Sequence, residues 1–267
     1  MQTSPTPQVS GSFIWRRLMS LMGLWLVIYL IEHLLVNSQA ALWLGSDGSA
    51  FVRLVNSLES LPYLHVVEVL LIGIPFAVHM VWGVHRALVA KTNSGSSDGC
   101  KAALHYGRNR AFSWQRWTAW ILLVGVIGHV VQMRFVSAPK EVEVEGKKMF
   151  VVQVSRDNEL GSLAERLGVK LIENKQDISA YAETPGTGML LMVREAFKSV
   201  PVAIGYTLFL AAAVFHAMNG FWTFLITWGA ILSARSQRAM IPVSVIGMGM
   251  LLFFGLAAIW GSYWLAA

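Results

Sequence analysis

The stretch VPVAIGYTLFLAAAVFHAMNGFWTFLITWGAIL occupies residues 200–232 and has no charged side chain. An α-helix needs about 20 apolar residues to cross the hydrocarbon core of a bilayer, so this stretch predicts a transmembrane helix that also extends beyond the bilayer. Its single histidine, His216, lies near the middle. Because an ionisable side chain is costly there, His216 is a candidate functional residue. The alternative is a histidine that only bonds to a neighbouring helix.

The composition of the whole chain agrees with a membrane protein. Of its 267 residues, 55% are hydrophobic and only 13% are charged, whereas about a quarter of the residues in soluble domains are charged. Its 11 tryptophans suit a protein with two membrane–water interfaces. The apolar segments long enough to span are residues 18–36, 63–84, 114–133, 200–232 and 242–267. The predicted fold class is therefore an all-α integral membrane protein with five transmembrane helices.

Basic residues predict how these helices are oriented. Arg16 and Arg17 precede the first segment, six basic residues and one acid lie within residues 86–116, and Arg235 and Arg238 follow the fourth segment. The positive-inside rule assigns these regions and the N-terminus to the cytoplasm, and the C-terminus to the outside. The net charge of +6 therefore reflects topology and attraction to anionic lipid, and nucleic acid is not an expected partner.

The two arginines before the first segment have a second interpretation, a cleaved twin-arginine signal. The run that follows them is long enough to span and carries a histidine of its own. We therefore expect an uncleaved first helix.

The connection between the third and fourth helices, residues 137–198, is charged rather than apolar. VEVEGKKMFVVQV alternates around Gly146 and predicts a β-hairpin, LGSLAERLG predicts a short helix, and VKLIE predicts another strand. We expect a small extracytoplasmic α/β cap inserted between helices III and IV. It divides the chain into residues 1–136 with helices I–III, the insertion 137–198, and residues 199–267 with helices IV–V.

Four of the seven histidines lie in four different predicted helices. They are His33, His79, His129 and His216. One histidine on each of four helices is the arrangement that two bis-histidine haems need, because each low-spin iron takes two axial imidazoles from facing helices. Chance placement is the alternative. His85 and His105 lie at the cytoplasmic interface and in the loop, where packing and solvation explain them, and the only cysteine, Cys100, excludes a CxxC site.

Depth in the bilayer predicts how the histidines pair. At about 1.5 Å per residue, His33 lies about 24 Å and His129 about 20 Å from the cytoplasmic face, so these two can pair in the outer half. His79 lies about 10 Å from that face, in the inner half. The depth of His216 is ambiguous, and it joins His79 mainly by elimination.

Three of the four histidines have a glycine four residues away on the same helix face, which would leave room for a porphyrin edge. These glycines are Gly83, Gly125 and Gly220. Close helix packing is the alternative explanation. His33 has Tyr29 and Asn37 at the equivalent positions, so the pattern is incomplete there. Pro75, four residues before His79, is expected to kink the second helix.

Glu68 precedes His79 by 11 residues, so a regular α-helix puts both on nearly one face, with Glu68 about 16 Å further outward. His65 lies one turn beyond. This pair is a candidate proton relay to a quinone reduced there. The equally weighted alternative is binding of haem propionates or capping of the helix. Glu32 and Glu68 are the only acids in the predicted helices, which disfavours a histidine-lined metal or solute transporter.

Four stretches carry a resemblance to a known family: RRLMSLMGLWLVIYLIEHLLVN, LPYLHVVEVLLIGIPFAVHMVWGVHRAL, the QRWTAW…GHVV region, and FHAMNGFWTFLITWG followed by SARSQR. They resemble the dihaem cytochrome b membrane subunit of type B succinate:quinone oxidoreductases, found in certain bacterial succinate dehydrogenases and fumarate reductases. The resemblance covers all five helices, and its last motif is quite specific.

The resemblance implies that His79 and His216 ligate a proximal haem b and that His33 and His129 ligate a distal one. It also implies that Ser20 lies near the proximal propionates. Arg17 and Arg116 are electrostatic candidates for the same role because of their inner position. Two features depart from the family. Val214 stands where some members with a transmembrane proton route have a glutamate, and residues 137–198 look longer than the usual connection.

The implied function is that of a membrane anchor in a bacterial cytoplasmic membrane. Electrons from succinate would pass through a flavoprotein subunit with FAD and an iron–sulfur subunit, then through the two haems to a membrane quinone, with menaquinone expected. The dicarboxylate site would lie on the partner subunits. The alternatives are a fumarate reductase subunit working in reverse and the haem b anchor of another respiratory oxidoreductase. A transporter is the alternative from a different class.

Overall fold

The computed structural model describes residues 11–41, 48–89, 107–173 and 177–266. Within these ranges, five helices are long and apolar enough to cross a membrane. They are α1 (Gly11–Ser38), α3 (Leu64–Val89), α4 (Arg110–Val136), α7 (Val200–Thr227) and α8 (Ala234–Leu265). The shorter helices are α2 (Ser49–Glu59), α5 (Leu160–Leu167) and α6 (Pro185–Phe197). The predicted fold class is confirmed. The expectations for Cys100 and His105 concern positions outside the described residues.

The ends of the last two membrane helices differ from the prediction. With 28 residues, α7 is about 42 Å long and exceeds the hydrocarbon core of about 30 Å, but it stops before residue 232 and the chain turns at Gly229, where φ is +80°. The predicted start of the fifth helix at Pro242 is wrong. The Ser233 hydroxyl caps α8 by accepting a backbone N–H at 3.0 Å, so the helix begins earlier and Pro242 lies inside it.

Four of the membrane helices form a ring. In this ring α1 packs against α3, α3 against α4, α4 against α7, and α7 against α1, while α8 lies outside against α1 and α7. Glycines permit the closest approaches, since a Cβ at Gly125 of α4 would collide with the ring of Phe209 on α7. Helices at opposite corners of the ring are therefore α1 with α4, and α3 with α7.

A proline and a tryptophan shape the middle of α3. Residues Val69–Gly73 form a π-helical turn shortly before Pro75. Pro75 has no N–H to donate to the carbonyl of Leu71, four residues earlier. The indole N–H of Trp25 on α1 donates to that carbonyl instead. A contact between helices therefore replaces the hydrogen bond that proline removes within the helix.

An antiparallel sheet lies between α4 and α7 in the chain. Its strands are β1 (Lys140–Val144), β2 (Lys147–Val154), β3 (Lys170–Glu173) and β4 (Ile178–Ala182), in the order β1-β2-β4-β3. The predicted hairpin, short helix and third strand are confirmed. The hairpin turns at Glu145 and Gly146, which both have positive φ, as a tight two-residue turn requires.

Two elements of this region, β4 and α6, are missing from the sequence prediction. Thr184 caps α6 by accepting the N–H of Thr187, and Pro185 occupies the first helical position, so the Thr-Pro pair is a helix-start signal in the sequence. Helix α6 is buried along Leu190 and Leu191. It contacts α2, the sheet and the end of α8.

These contacts distinguish the two ends of the bundle. The end that adjoins the sheet and α6, here called the sheet end, is formed by Ser38, Leu64, Val136, Val200 and Leu265. Arg194 of α6 joins it to the bundle by donating to the carbonyl of Leu265 at 2.8 Å. The opposite end is formed by the other termini of the same five helices.

Replacing Trp25 with phenylalanine should lower the free energy of unfolding by about 1–3 kcal/mol, because the carbonyl of Leu71 loses its donor within the membrane. Chemical unfolding in detergent micelles, followed by circular dichroism, measures this loss. Trp117→Phe is the matched control, since Trp117 is 67% exposed, and it should remain near the wild-type value. Equal stability of the two variants would contradict the role given to Trp25.

Candidate functional site: two facing histidine pairs

Four histidines of the membrane helices, one each on α1, α3, α4 and α7, form two pairs in the structure. The ring centroids of His33 and His129 are 5.8 Å apart, and those of His79 and His216 are 6.3 Å apart. The ring planes are close to perpendicular, at 85° and 83°. The pairing of His33 with His129 agrees with the depth argument, and that of His79 with His216 agrees with the assignment by elimination. Each pair joins helices at opposite corners of the four-helix ring.

The Nδ1 atoms of His79 and His216 are held by groups on other helices. His79 Nδ1 lies 3.1 Å from the carbonyl oxygen of Met19 on α1. Because a carbonyl only accepts, Nδ1 carries the proton and donates. His216 Nδ1 lies 3.2 Å from the hydroxyl oxygen of Thr118 on α4. Thr118, which sequence reasoning missed, is 5% exposed and therefore buried in the bundle.

The second pair is held in a related way. His129 Nδ1 lies 3.3 Å from the hydroxyl oxygen of Tyr206 on α7. His33 Nδ1 has its nearest polar atoms on its own helix, in Tyr29 and Asn37, both at 3.5 Å. These are the two residues that interrupt the glycine pattern around His33. The position without a glycine therefore carries side chains that contact the ring.

The second ring nitrogens are left for another partner. Among the described residues, none of the four Nε2 atoms has a hydrogen-bond partner, although each Nδ1 does. A metal ion between two imidazoles needs about 2 Å to each nitrogen, which puts the ring centres roughly 6 Å apart, close to the separation in both pairs. The donor sets therefore fit a metal with two imidazole ligands.

The number of ligands restricts the kind of metal site. Over the part of the chain that the structure describes, no group of three or more His, Cys, Asp or Glu side chains could hold a metal ion. A bare ion such as zinc takes about four protein ligands in a structural site. A haem iron receives four ligands from its porphyrin and needs only the two axial ones. Paired histidines therefore fit haem better than a bare ion.

Glycines around the pairs have different surroundings. A Cβ at Gly23 of α1 would lie 2.9 Å from His79 Cε1, so only glycine lets this imidazole approach the helix. Gly23 is a second residue that sequence reasoning missed. At Gly83 and Gly220 a Cβ would meet only flexible side chains at 3.7 Å, whereas Gly125 faces the ring of Phe209. Close packing thus explains Gly125, whereas an added Cβ at Gly83 or Gly220 would make only ordinary van der Waals contact.

The residues predicted to bind propionates lie toward the opposite end of the bundle. The guanidinium of Arg17 packs over the ring of Trp228 at 5.1 Å, and Arg116 donates to the carbonyl of Ala87 at 3.2 Å. The structure does not bring these two into a common contact. Ser20 follows Met19, whose carbonyl holds His79.

Trp82 adds a further polar atom at this end. Its indole nitrogen is buried and has no hydrogen-bond partner among the described residues. Its ring stacks on Trp15 at 5.1 Å. An acceptor on a bound group would satisfy the indole N–H.

His65 and Glu68 meet at the sheet end, together with Arg134 of α4. Glu68 Oε2 lies 3.3 Å from His65 Nδ1 and 3.2 Å from Arg134 Nη2. Sequence reasoning missed Arg134. The sequence does contain a signal for Arg134. It is a basic residue at an end of a membrane helix where the positive-inside rule predicts acidic or neutral residues. The cluster therefore contains a cation in addition to the expected pair.

The expectation that Glu68 shares the face of His79 is wrong. It assumes a regular α-helix, but the π-helical turn Val69–Gly73 separates the two residues. A π turn accommodates one extra residue, which rotates Glu68 by roughly a quarter turn from that face. Glu68 faces Arg134 on α4, the helix that also carries His129.

Five membrane helices with two facing histidine pairs define an integral membrane bundle built around paired imidazole sites. The chain is similar to the succinate dehydrogenase cytochrome b558 subunit of Bacillus subtilis (strain 168), with 30% identity over 249 residues, which cover 92% of this chain and 95% of that protein. The chain belongs to the family of succinate dehydrogenase cytochrome b subunits and is a multi-pass membrane protein. No protein-family model and no solved structure matches it.

Proposed function

We propose that this chain is the membrane anchor of a succinate dehydrogenase and passes electrons from its catalytic partners to a membrane quinone through two haems b. The observation that supports the proposal is the set of contacts that the four imidazoles make. Each Nδ1 has a polar partner, each Nε2 has none among the described residues, and the rings pair at 5.8 and 6.3 Å. The name of the Bacillus subtilis relative, a cytochrome b558 subunit, supports the same cofactor.

In this proposal His79 and His216 bind one iron through Nε2, and His33 and His129 bind the other. Bound haems would supply one-electron transfer across the bundle. The carbonyl and hydroxyl oxygens at Nδ1 of His79, His129 and His216 orient these rings and, by accepting the Nδ1 proton, would keep Nε2 free for iron. Gly23 lets His79 approach α1.

Residues toward the opposite end of the bundle would hold the propionates of a haem bound at the His79–His216 pair. Arg17 and Arg116 provide positive charge there, and the hydroxyl of Ser20 and the indole N–H of Trp82 provide hydrogen-bond donors. Burial of the indole nitrogen without a partner supports the inclusion of Trp82.

We propose that the quinone is reduced near the sheet end, with menaquinone as the expected species. His65 and Glu68 would deliver protons to it, since reduction of a quinone takes up protons. The contact of Glu68 with both His65 and Arg134 supports this, because a carboxylate between a histidine and an arginine can accept and pass on a proton while its charge is balanced. Binding of a propionate by Arg134 is the competing role.

The proposed orientation puts the opposite end of the bundle in the cytoplasm and the sheet end outside, in a bacterial cytoplasmic membrane. Arg16, Arg17, Arg235 and Arg238 lie at the proposed cytoplasmic end, as the positive-inside rule requires. An iron–sulfur subunit and a flavoprotein subunit with FAD would dock there. Residues 137–198 would form an extracytoplasmic unit between residues 1–136 and 199–267.

Replacing His79 with alanine should remove one of two haems from the purified chain, because one iron loses an axial ligand while the other pair is untouched. The haem-to-protein ratio and the α-band of the reduced spectrum measure this. His85→Ala is the matched control, since His85 lies exposed two turns away on the same helix. A His79→Ala variant with two haems would refute the ligand assignment.

Replacing Glu68 with glutamine should lower succinate:quinone reductase activity of the assembled complex by about a hundredfold, because the amide cannot carry a proton to the quinone. Succinate oxidation with an artificial acceptor that takes electrons from the catalytic subunits should stay unchanged. Glu183→Gln, at an exposed position after β4, is the control variant. Unchanged quinone reduction in Glu68→Gln would exclude the relay.

A further inference from the structure

Thr118 forms a hydrogen-bond relay behind His216. Its hydroxyl oxygen lies 2.8 Å from the carbonyl oxygen of Trp114, 3.2 Å from that of Gln115 and 3.2 Å from His216 Nδ1. A hydroxyl has one proton to donate, and carbonyl oxygens only accept. The proton is therefore used toward the backbone of α4, and the oxygen accepts from the N–H of His216. The relay fixes the tautomer whose Nε2 carries the lone pair.

Tyr206 forms the equivalent relay behind His129. Its hydroxyl oxygen lies 3.1 Å from Gln132 Oε1, to which it donates, and 3.3 Å from His129 Nδ1, from which it accepts. The two relays are reciprocal in the bundle. Thr118 of α4 holds a histidine of α7, and Tyr206 of α7 holds a histidine of α4. Each histidine pair therefore contains one ligand whose Nδ1 partner is a side-chain hydroxyl on another helix.

The other two ligands have different partners. His79 donates to a backbone carbonyl, which no substitution removes. Among the described residues, His33 Nδ1 has polar contacts to Tyr29 and Asn37 at 3.5 Å, the limit of hydrogen-bond distance. In each pair, one hydroxyl is thus the adjustable hydrogen bond to an axial ligand.

We propose that Thr118 and Tyr206 are positioning residues that each lower the reduction potential of one haem. The inference rests on the proposed function, because it requires iron at both pairs. An acceptor at Nδ1–H increases electron donation from the imidazole, which stabilises the ferric state. Removing the hydroxyl should therefore raise the potential of the haem at that pair and leave the other haem unchanged.

The test is a potentiometric titration of the α-bands of the purified holoprotein. Thr118→Val should raise the midpoint potential of the haem at the His79–His216 pair, and Tyr206→Phe that of the haem at the His33–His129 pair. The expected shift in the reduction equilibrium is on the order of tenfold, which corresponds to about 59 mV for a one-electron couple. The two variants together assign each band to one pair.

Two further variants separate the relay from a packing effect. Thr118→Ser keeps the hydroxyl and should restore the wild-type potential. Thr223→Val removes an exposed threonine hydroxyl on α7 that donates to the carbonyl of Gly220 on the same helix, and both potentials should stay unchanged. If Thr118→Val does not assemble, Thr118→Ala takes its place with the same expectations.

The outcomes distinguish the relay from the function on which it rests. A wild-type chain without haem would refute the proposed function. Two haems whose potentials are unchanged in both Thr118→Val and Tyr206→Phe would overturn the relay alone, as would equal shifts of both haems in one variant. Tyr206→Phe removes a single oxygen and preserves the ring. The titration of this variant therefore tests the relay even if the threonine variants do not assemble.

Discussion

An imidazole inside a bilayer needs a polar partner at each nitrogen, because no water is present to hydrogen-bond it. The rest of the structure depends on how this chain meets that constraint. The protein provides a polar partner for Nδ1 of each of the four paired histidines. For His79, His129 and His216 that partner belongs to another helix. The sites therefore form only when the helices pack, so assembly of the bundle and preparation of the ligands are one event.

The ring of four helices explains why the histidines pair diagonally. Helices that are neighbours in the ring contact each other directly, and Gly125 of α4 allows the close approach of Phe209 on α7. Helices at opposite corners face each other across the interior. Each histidine pair joins such corners, α1 with α4 and α3 with α7, at ring separations near those of two imidazoles on one metal. Gly23 and the contact of Trp25 with α3 maintain this spacing on one side of the ring.

Much of this arrangement could be predicted from the sequence. The five spans follow from hydropathy, and the His33–His129 pair follows from residue depth, because a straight helix rises by a fixed distance per residue. His216 was paired with His79 mainly by elimination. The face of Glu68 could not be predicted, since a π-helical turn before Pro75 changes the register. Thr118, Tyr206 and Arg134 could not be found from spacing, because their contacts join different helices. The start of α8 was predicted at Pro242, because proline is typical of a helix start, but this proline lies within the helix.

The central claim is that each facing pair of imidazoles binds one haem iron. Low-temperature electron paramagnetic resonance of the purified, oxidised chain tests it most directly, with the haem content determined on the same sample. The account predicts two low-spin ferric haems per chain, both of the strongly anisotropic kind expected when axial ring planes are near perpendicular, as the angles of 85° and 83° require. A high-spin ferric signal, a single haem, or no haem would contradict it.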